Sequence, residues 1–219
     1  MIILLPPSEK KVAPTTQKPL NLSKMSFALE LSLIRRGLLL QHPEIDQTLT
    51  APVHEVYSGF LYRSLDYSTL SKTAKERAQN QIIIFSALYG ALKINDEISD
   101  YKFKIQGSLW REKLHHALVN SEQQLLVDCR SAAYTAAWVS PPTNTVKIRV
   151  FTKVGDQSKV ITHMAKVTRG EVTRFLLQND STLNTPRELL AQLSKQFNCN
   201  LVQSDKKKPW MIDILANYS

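Results

Sequence analysis

The sequence predicts an α/β fold: a single domain over residues 1–219, built on a mixed sheet with flanking helices and a C-terminal β-hairpin/helix unit. Three observations point there. Short runs rich in Ile, Val and Leu, too brief for buried helices, read as strands covered on both faces. Segments with apolar residues three and four apart lie between them and read as helices. A stretch of strict alternation near residue 150 is followed by a turn signal and a return, the pattern of a hairpin. A chain of 219 residues can bury a full core and fits one domain. No repeat, low-complexity tract or linker divides it.

The first strand is Met1-Ile2-Ile3-Leu4-Leu5, which runs into Pro6-Pro7-Ser8-Glu9-Lys10-Lys11. Residues 12–24, with Pro14 and Pro19, read as a loop. Ser26 to Leu40 reads as a helix through Phe27, Leu31, Ile34 and Leu38, ended by His42-Pro43. Residues 44–56 favour neither state. Leu65 to Gln81 has helical spacing at Leu70, Ala74 and Ala78. Ile82-Ile83-Ile84-Phe85 is the next strand and runs into Ser86-Ala87-Leu88-Tyr89-Gly90. Leu109 to Asn120 is an amphipathic helix on Leu109, Leu114 and Leu118. Leu125-Leu126-Val127 is a third buried strand, running into Asp128-Cys129-Arg130-Ser131.

Thr145 to Lys153 sets Val146, Ile148, Val150 and Thr152 against Lys147, Arg149, Phe151 and Lys153, a strand with one polar face. Gly155-Asp156-Gln157-Ser158 is the turn, and Lys159 to His163 the return. The fourth apolar run, Val160-Ile161-Thr162-His163, ends in Met164-Ala165-Lys166 and then Arg169-Gly170. Met164, Val167, Val172, Phe175 and Leu176 follow at helical spacing. Thr185-Pro186-Arg187-Glu188 is a capping box with Pro at the first helical position, opening a helix to about Phe197. Asn200-Leu201-Val202 reads as a short strand.

The formal net charge is +9, from 28 Lys and Arg against 19 Asp and Glu. That favours anionic partners: nucleic acid, nucleotides or phosphorylated metabolites. Lys206-Lys207-Lys208 is the densest basic run. No apolar run approaches the roughly 20 residues of a membrane span, so no membrane partner is expected. Met1–Leu5 is too short for a signal-peptide core and lacks a basic lead, which makes the cytoplasm the expected compartment. Cys129 and Cys199 match no metal or disulfide spacing and read as reduced thiols. Neither a metal nor a cofactor is expected, and the P-loop, dinucleotide and hydrolase signatures are absent.

Open α/β sheets bind ligands at the carboxyl ends of their strands, so the polar clusters after the four runs are expected to meet in one cleft. Ser8, Lys11, Tyr57, Ser86, Tyr89, Tyr101, Arg130, Ser131, Tyr134, Lys166 and Arg169 are its candidate ligand-binding residues. Lys166 and Arg169, three apart, share a helical face and suit an anion. Tyrosines stack on bases and donate hydrogen bonds, although most only pack. Asp128 suits a helix cap, a cation partner or an acid–base group. Asp128, Lys166 and Tyr89 are the candidate catalytic groups. His115 and His116 read as surface groups. His163, read as ending a strand, suits a phosphate contact, a base or a structural hydrogen bond.

These clusters resemble the motifs of the YaaA family of peroxide-stress proteins. The opening Met1-Ile2-Ile3-Leu4-Leu5-Pro6-Pro7-Ser8-Glu9-Lys10-Lys11 is similar to the family's. Val56-Tyr57-Ser58-Gly59 resembles its V-Y-x-G motif. Ser86-Ala87-Leu88-Tyr89-Gly90-Ala91-Leu92 resembles S-x-L-Y-G-x-L, with Asp96 and Tyr101-Lys102 following in its D-x(4)-Y-[RK] spacing. Ser131 to Tyr134 resembles S-x-x-Y, and Lys166-Val167-Thr168-Arg169-Gly170 resembles K-x-x-[RK]-G. The resemblance implies a family-specific α/β fold, a basic cleft, affinity for duplex DNA and a role in protection against hydrogen peroxide. In the family DNA binding goes with a helix-hairpin-helix element, and this chain carries no h-x-x-h-x-G-h-G pattern. The expectation is a protein whose basic cleft binds duplex DNA or a nucleotide-like anion. The alternatives are an enzyme that cleaves or forms a C–N bond of a nucleotide or nucleobase in that cleft, and a stress-linked interaction protein without chemistry.

Overall fold

In the computed structural model of the chain, the described residues are 1–15, 18–46, 49–154, 157–159, 162–202, 205 and 207–216. The strands are β1 (Ile2–Leu5), β2 (Ala51–Pro52), β3 (Ile82–Ser86), β4 (Gly90–Leu92), β5 (Glu97–Ile98), β6 (Leu126–Asp128), β7 (Thr145–Val154), β8 (Gln157–Lys159), β9 (Cys199–Val202) and β10 (Trp210–Ala216). The helices are α1 (Ala28–Gln41), α2 (Pro43–Asp46), α3 (Val53–Val56), α4 (Phe60–Leu65), α5 (Lys72–Gln81), α6 (Gly107–Leu118), α7 (Ala132–Ala137), α8 (Thr162–Gln178) and α9 (Pro186–Leu193).

The main sheet has the order β4-β3-β1-β6-β7-β10-β9, with β8 paired to β7. Its central strands β3, β1, β6, β7 and β10 are mutually parallel, and β4 and β9 run antiparallel at the edges. Of these, β1, β3 and β6 are covered on both faces, which is why their sequences are near-continuous apolar runs. Every residue of β1, β3 and β6 is buried. The register sets Ile3 beside both Ile82 and Val127, so all three strands deliver their carboxyl ends to one edge of the core. β2 and β5 form a separate two-stranded ladder.

The alternation in β7 holds: Val146, Ile148, Val150 and Thr152 are buried and Lys147, Arg149 and Phe151 half-buried. β7 is flanked by β6 and β10, and the antiparallel return β8 pairs with its last turn-proximal residues, Thr152 to Val154. Gly155 and Asp156 of the expected turn, Val160 and Ile161 of the fourth apolar run, and Lys206 of the basic run lie outside the described residues. Thr162 and His163 open α8, so His163 does not end a strand.

Three helical expectations are corrected. The segment Leu65 to Gln81 is not one helix. α4 stops at Leu65, Asp66 takes a left-handed φ of 45°, and Ser71 starts α5 by accepting from the Ala74 N–H at 3.2 Å. In α6 the buried stripe runs through Trp110, Leu114 and Leu118, while Leu109 is exposed. Trp110 lies against Gly90, whose φ of +74° admits the turn into β4; a Cβ there would sit 2.6 Å from the indole. The capping box at Thr185 and Glu188 is present, but α9 ends at Leu193. α1 buries Arg35, which spans to the turn after β3: Nε donates to the Tyr89 carbonyl at 2.9 Å and Nη2 to those of Ser26 and Ala91 at 2.9 and 2.8 Å.

Candidate functional site

A cavity of about 780 Å³ opens at the carboxyl ends of β1 and β6. Its floor and walls come from the loop after β1, the start of α4, the segment 101–105, the start of α7 and one face of α8.

The loop after β1 is fixed by its neighbour. The Val12 N–H donates to the Val56 carbonyl at 2.8 Å and the Ser58 N–H to that of Lys10 at 3.0 Å. Ser8 Oγ accepts from the Gly59 N–H at 2.8 Å and donates to the Lys10 carbonyl at 2.5 Å. A Cβ at residue 59 would fall 2.6 Å from that hydroxyl, so glycine is what allows the approach. The opposite wall depends on Gly170, where a Cβ would run into the Leu61 carbonyl. Glycine therefore brings α8, with Lys166 and Arg169, close against α4.

Behind the wall lies a chain of hydroxyls. Tyr57 Oη meets Tyr101 Oη at 2.6 Å, and Tyr101 Oη meets Ser86 Oγ at 2.7 Å. Ser86 Oγ also accepts from the Tyr89 N–H at 2.9 Å, and Tyr89 Oη meets Ser99 Oγ at 2.6 Å. Burial pushes the phenols of Tyr57, Tyr62 and Tyr101 far up and that of Tyr134 up to about 12. These groups are neutral hydrogen-bonding hydroxyls at any physiological pH.

Lys11 projects over Tyr101, its Nζ 4.4 Å from that ring centroid and 5.7 Å from that of Tyr57. Burial lowers its pKa, opposed by Asp100 and Glu9 and reinforced by Lys102. Lys166 Nζ bonds Glu9 Oε2 at 3.2 Å. Arg169 Nη2 donates to the Ile148 carbonyl at 3.2 Å, while its Nε is buried with no hydrogen-bond partner among the described residues.

Of the residues singled out by sequence, Ser8, Lys11, Tyr101, Ser131, Tyr134, Lys166 and Arg169 line the cavity. Tyr57, Ser86 and Tyr89 lie behind it in the hydroxyl chain, fully or almost fully buried. Asp128 and Arg130 lie beneath it, paired with each other. His163 is exposed, with its ring centroid 5.9 Å from that of Phe60. Sequence reading missed Lys10, Phe60, Tyr62, Arg63, Phe103, Lys104 and Ile105 as lining residues. Their signal was adjacency alone: Phe60 follows the Tyr57-Ser58-Gly59 cluster and Phe103 follows Tyr101-Lys102.

Among the described residues no group of three or more His, Cys, Asp or Glu is placed to hold a metal ion. Both cysteines are free. No described helix is long and apolar enough to cross a membrane.

Sheet and cavity together define an open α/β protein with a ligand-sized site at its strand ends. The chain belongs to the YaaA family: a family model described as "Peroxide stress protein YaaA" matches residues 28–200, which hold every lining residue except those of the loop after β1. A UPF0246 protein of Streptomyces coelicolor is 29% identical, with 99% of each chain covered. One from Corynebacterium glutamicum is 29% identical over 87% of this chain and 91% of its own. One from Clostridium perfringens is 28% identical over 68% and 65%. The Streptomyces alignment spans 261 positions against 219 residues here, so that relative carries stretches this chain lacks.

Proposed function

We propose that this peroxide-stress family member binds a nucleotide-sized anionic ligand in the cavity. The observation that carries the reading is the lining: Lys10, Lys11, Arg63, Lys104, Lys166 and Arg169 face one carboxylate, Glu9. Charge of one sign in a recessed, partly apolar site attracts an anion and strengthens its hydrogen bonds. Tyr101, Tyr134, Phe60 and Phe103 supply aromatic surface beside the cations, where stacking on a base is worth about 1–3 kcal/mol. The volume lies in the usual small-molecule range of roughly 300–1,000 Å³. The candidate acid–base group Asp128 is occupied by Arg130, so the reading rests on binding rather than on a C–N bond reaction.

Calorimetric titration with adenosine monophosphate, guanosine monophosphate and adenosine at low salt tests it. The nucleotides are expected to bind at least about tenfold tighter than adenosine, a difference of ~1.4 kcal/mol that one charge-assisted bond supplies. No binding of either nucleotide overturns the reading.

A second reading, contact with duplex DNA at the cavity rim, is favoured by the net charge of +9. It predicts affinity that falls by orders of magnitude between about 50 and 200 mM salt if many phosphates are neutralised. A gel-shift titration without retardation at low salt removes it.

A further inference from the structure

We propose that Lys11 is a reactive amine that captures a carbonyl carbon of a ligand in the cavity as an imine. The delivery of an anionic carbonyl compound rests on the anion-binding reading above; the reactivity of the amine does not.

The argument begins with the backbone. Lys11 forms an isolated antiparallel bridge with Tyr57, and the next residue is tied to Val56, so the side chain leaves from a fixed point. It is half-buried and lines the cavity. Among the described residues it has no ion pair, unlike Lys166 with Glu9 or Lys18 with Glu97. Its Nζ lies over the faces of Tyr101 and Tyr57. The charges that reach it from a distance are Asp100 and Glu9, which favour the ammonium, and Lys102, which opposes it. The ring faces also favour the ammonium. Burial is the largest influence and acts the other way, so the balance moves towards the free amine. A lysine desolvated in an apolar pocket near other cations is the arrangement that activates an amine towards carbonyl groups.

The step balances without an oxidant or reductant. The amine lone pair attacks the carbonyl carbon and a C–N bond forms. Both amine protons leave with the carbonyl oxygen as water, and the C=N bond remains.

The test uses the whole chain and two aldehydes. Pyridoxal 5′-phosphate is anionic, and formaldehyde is small and neutral. Each adduct is reduced in place, by borohydride and cyanoborohydride respectively, and located by peptide mass mapping at neutral pH. Lys11 is expected to be modified several-fold faster than the exposed Lys72 and Lys208, because its burial favours the free amine. Lys11→Arg keeps the positive charge and is expected to abolish the fast adduct without transferring it to another lysine. Fast modification by formaldehyde but not by the phosphorylated aldehyde upholds the amine and counts against the anion-binding reading. Modification of Lys11 no faster than Lys72 by either reagent overturns the proposal.

Discussion

Arg130 grips Asp128 two residues away: Nε lies 2.9 Å from Oδ1 and Nη2 3.0 Å from Oδ2, with the side chains 0% and 1% exposed. The Arg130 backbone N–H adds a third bond to Oδ1 at 3.0 Å, and Nη1 donates to the Trp138 carbonyl at 2.9 Å. The guanidinium also lies over Phe85 and Trp138, 4.4 and 5.2 Å from their centroids. The pair ties the end of β6 to α7, whose N-cap Ser131 and first-turn Tyr134 line the cavity.

Arg130→Ala leaves a buried carboxylate with no guanidinium opposite it. Breaking one side of a buried pair costs about 3–5 kcal/mol. Urea denaturation should show a loss of that order, whereas Arg130→Lys should recover part of it. If Arg130→Ala unfolds at the same urea concentration as the parent, the pair does not hold the loop.

Gly170→Ala should separate α8 from α4, because the added methyl meets the Leu61 carbonyl and Ser64 Cβ. Overpacking of this kind costs about 1–3 kcal/mol. The thermal midpoint should fall, and nucleotide binding by the folded fraction should weaken too, since both cavity walls move. Gly37→Ala, which meets nothing within 4 Å, is the control and should not destabilise.

Cys129 is fully buried, and burial pushes its thiol up to about 12, only partly offset by Arg169. The folded thiol therefore stays protonated where the unfolded one, near 9, ionises. The unfolded state alone gains from deprotonation in that window, so stability should decline from about pH 9 towards 12. Cys129→Ala should flatten the decline. The same burial should shield the thiol from hydrogen peroxide, leaving Cys199, which is half-buried, to react first. Differential alkylation after peroxide treatment reads this directly; early oxidation of Cys129 would contradict it.

The strands that position the site were legible because burial on both faces writes itself as runs of Ile, Leu, Val and Phe at β1, β3 and β6, with only the final Ser86 and Asp128 polar. The break between α4 and α5 was not, since the helical spacing of Leu70, Ala74 and Ala78 says nothing of the left-handed Asp66 that precedes them. His163 was misread because a β-branched run leads into α8 and resembles a strand until the helix begins. The cavity wall at Phe103, Lys104 and Ile105 has no periodic pattern at all. Phe103 is held there by a tertiary contact, edge-on to His42 with ring centroids 4.9 Å apart. Tyr89 follows a strand as expected and Ser86 is the last residue of that strand rather than the first beyond it, but neither position revealed that they face into the hydroxyl chain rather than into open space.

The charge balance of the cavity can be shifted one residue at a time. Glu9 is 89% exposed and its pair with Lys166 is a surface contact, worth under about 1 kcal/mol. Glu9→Gln should leave the melting temperature almost unchanged. It also releases Lys166 and removes the only carboxylate among the described lining residues, so adenosine monophosphate should bind several-fold tighter, more so at low salt. Lys166→Ala should change stability by less than about 0.5 kcal/mol and weaken binding. Arg169 is different, because it also braces β7 by donating to the Ile148 carbonyl. Arg169→Ala should therefore lose about 1 kcal/mol of stability as well as affinity. Calorimetry beside thermal melts separates the three cases. Weaker nucleotide binding by Glu9→Gln would mean that the cavity does not select for negative charge.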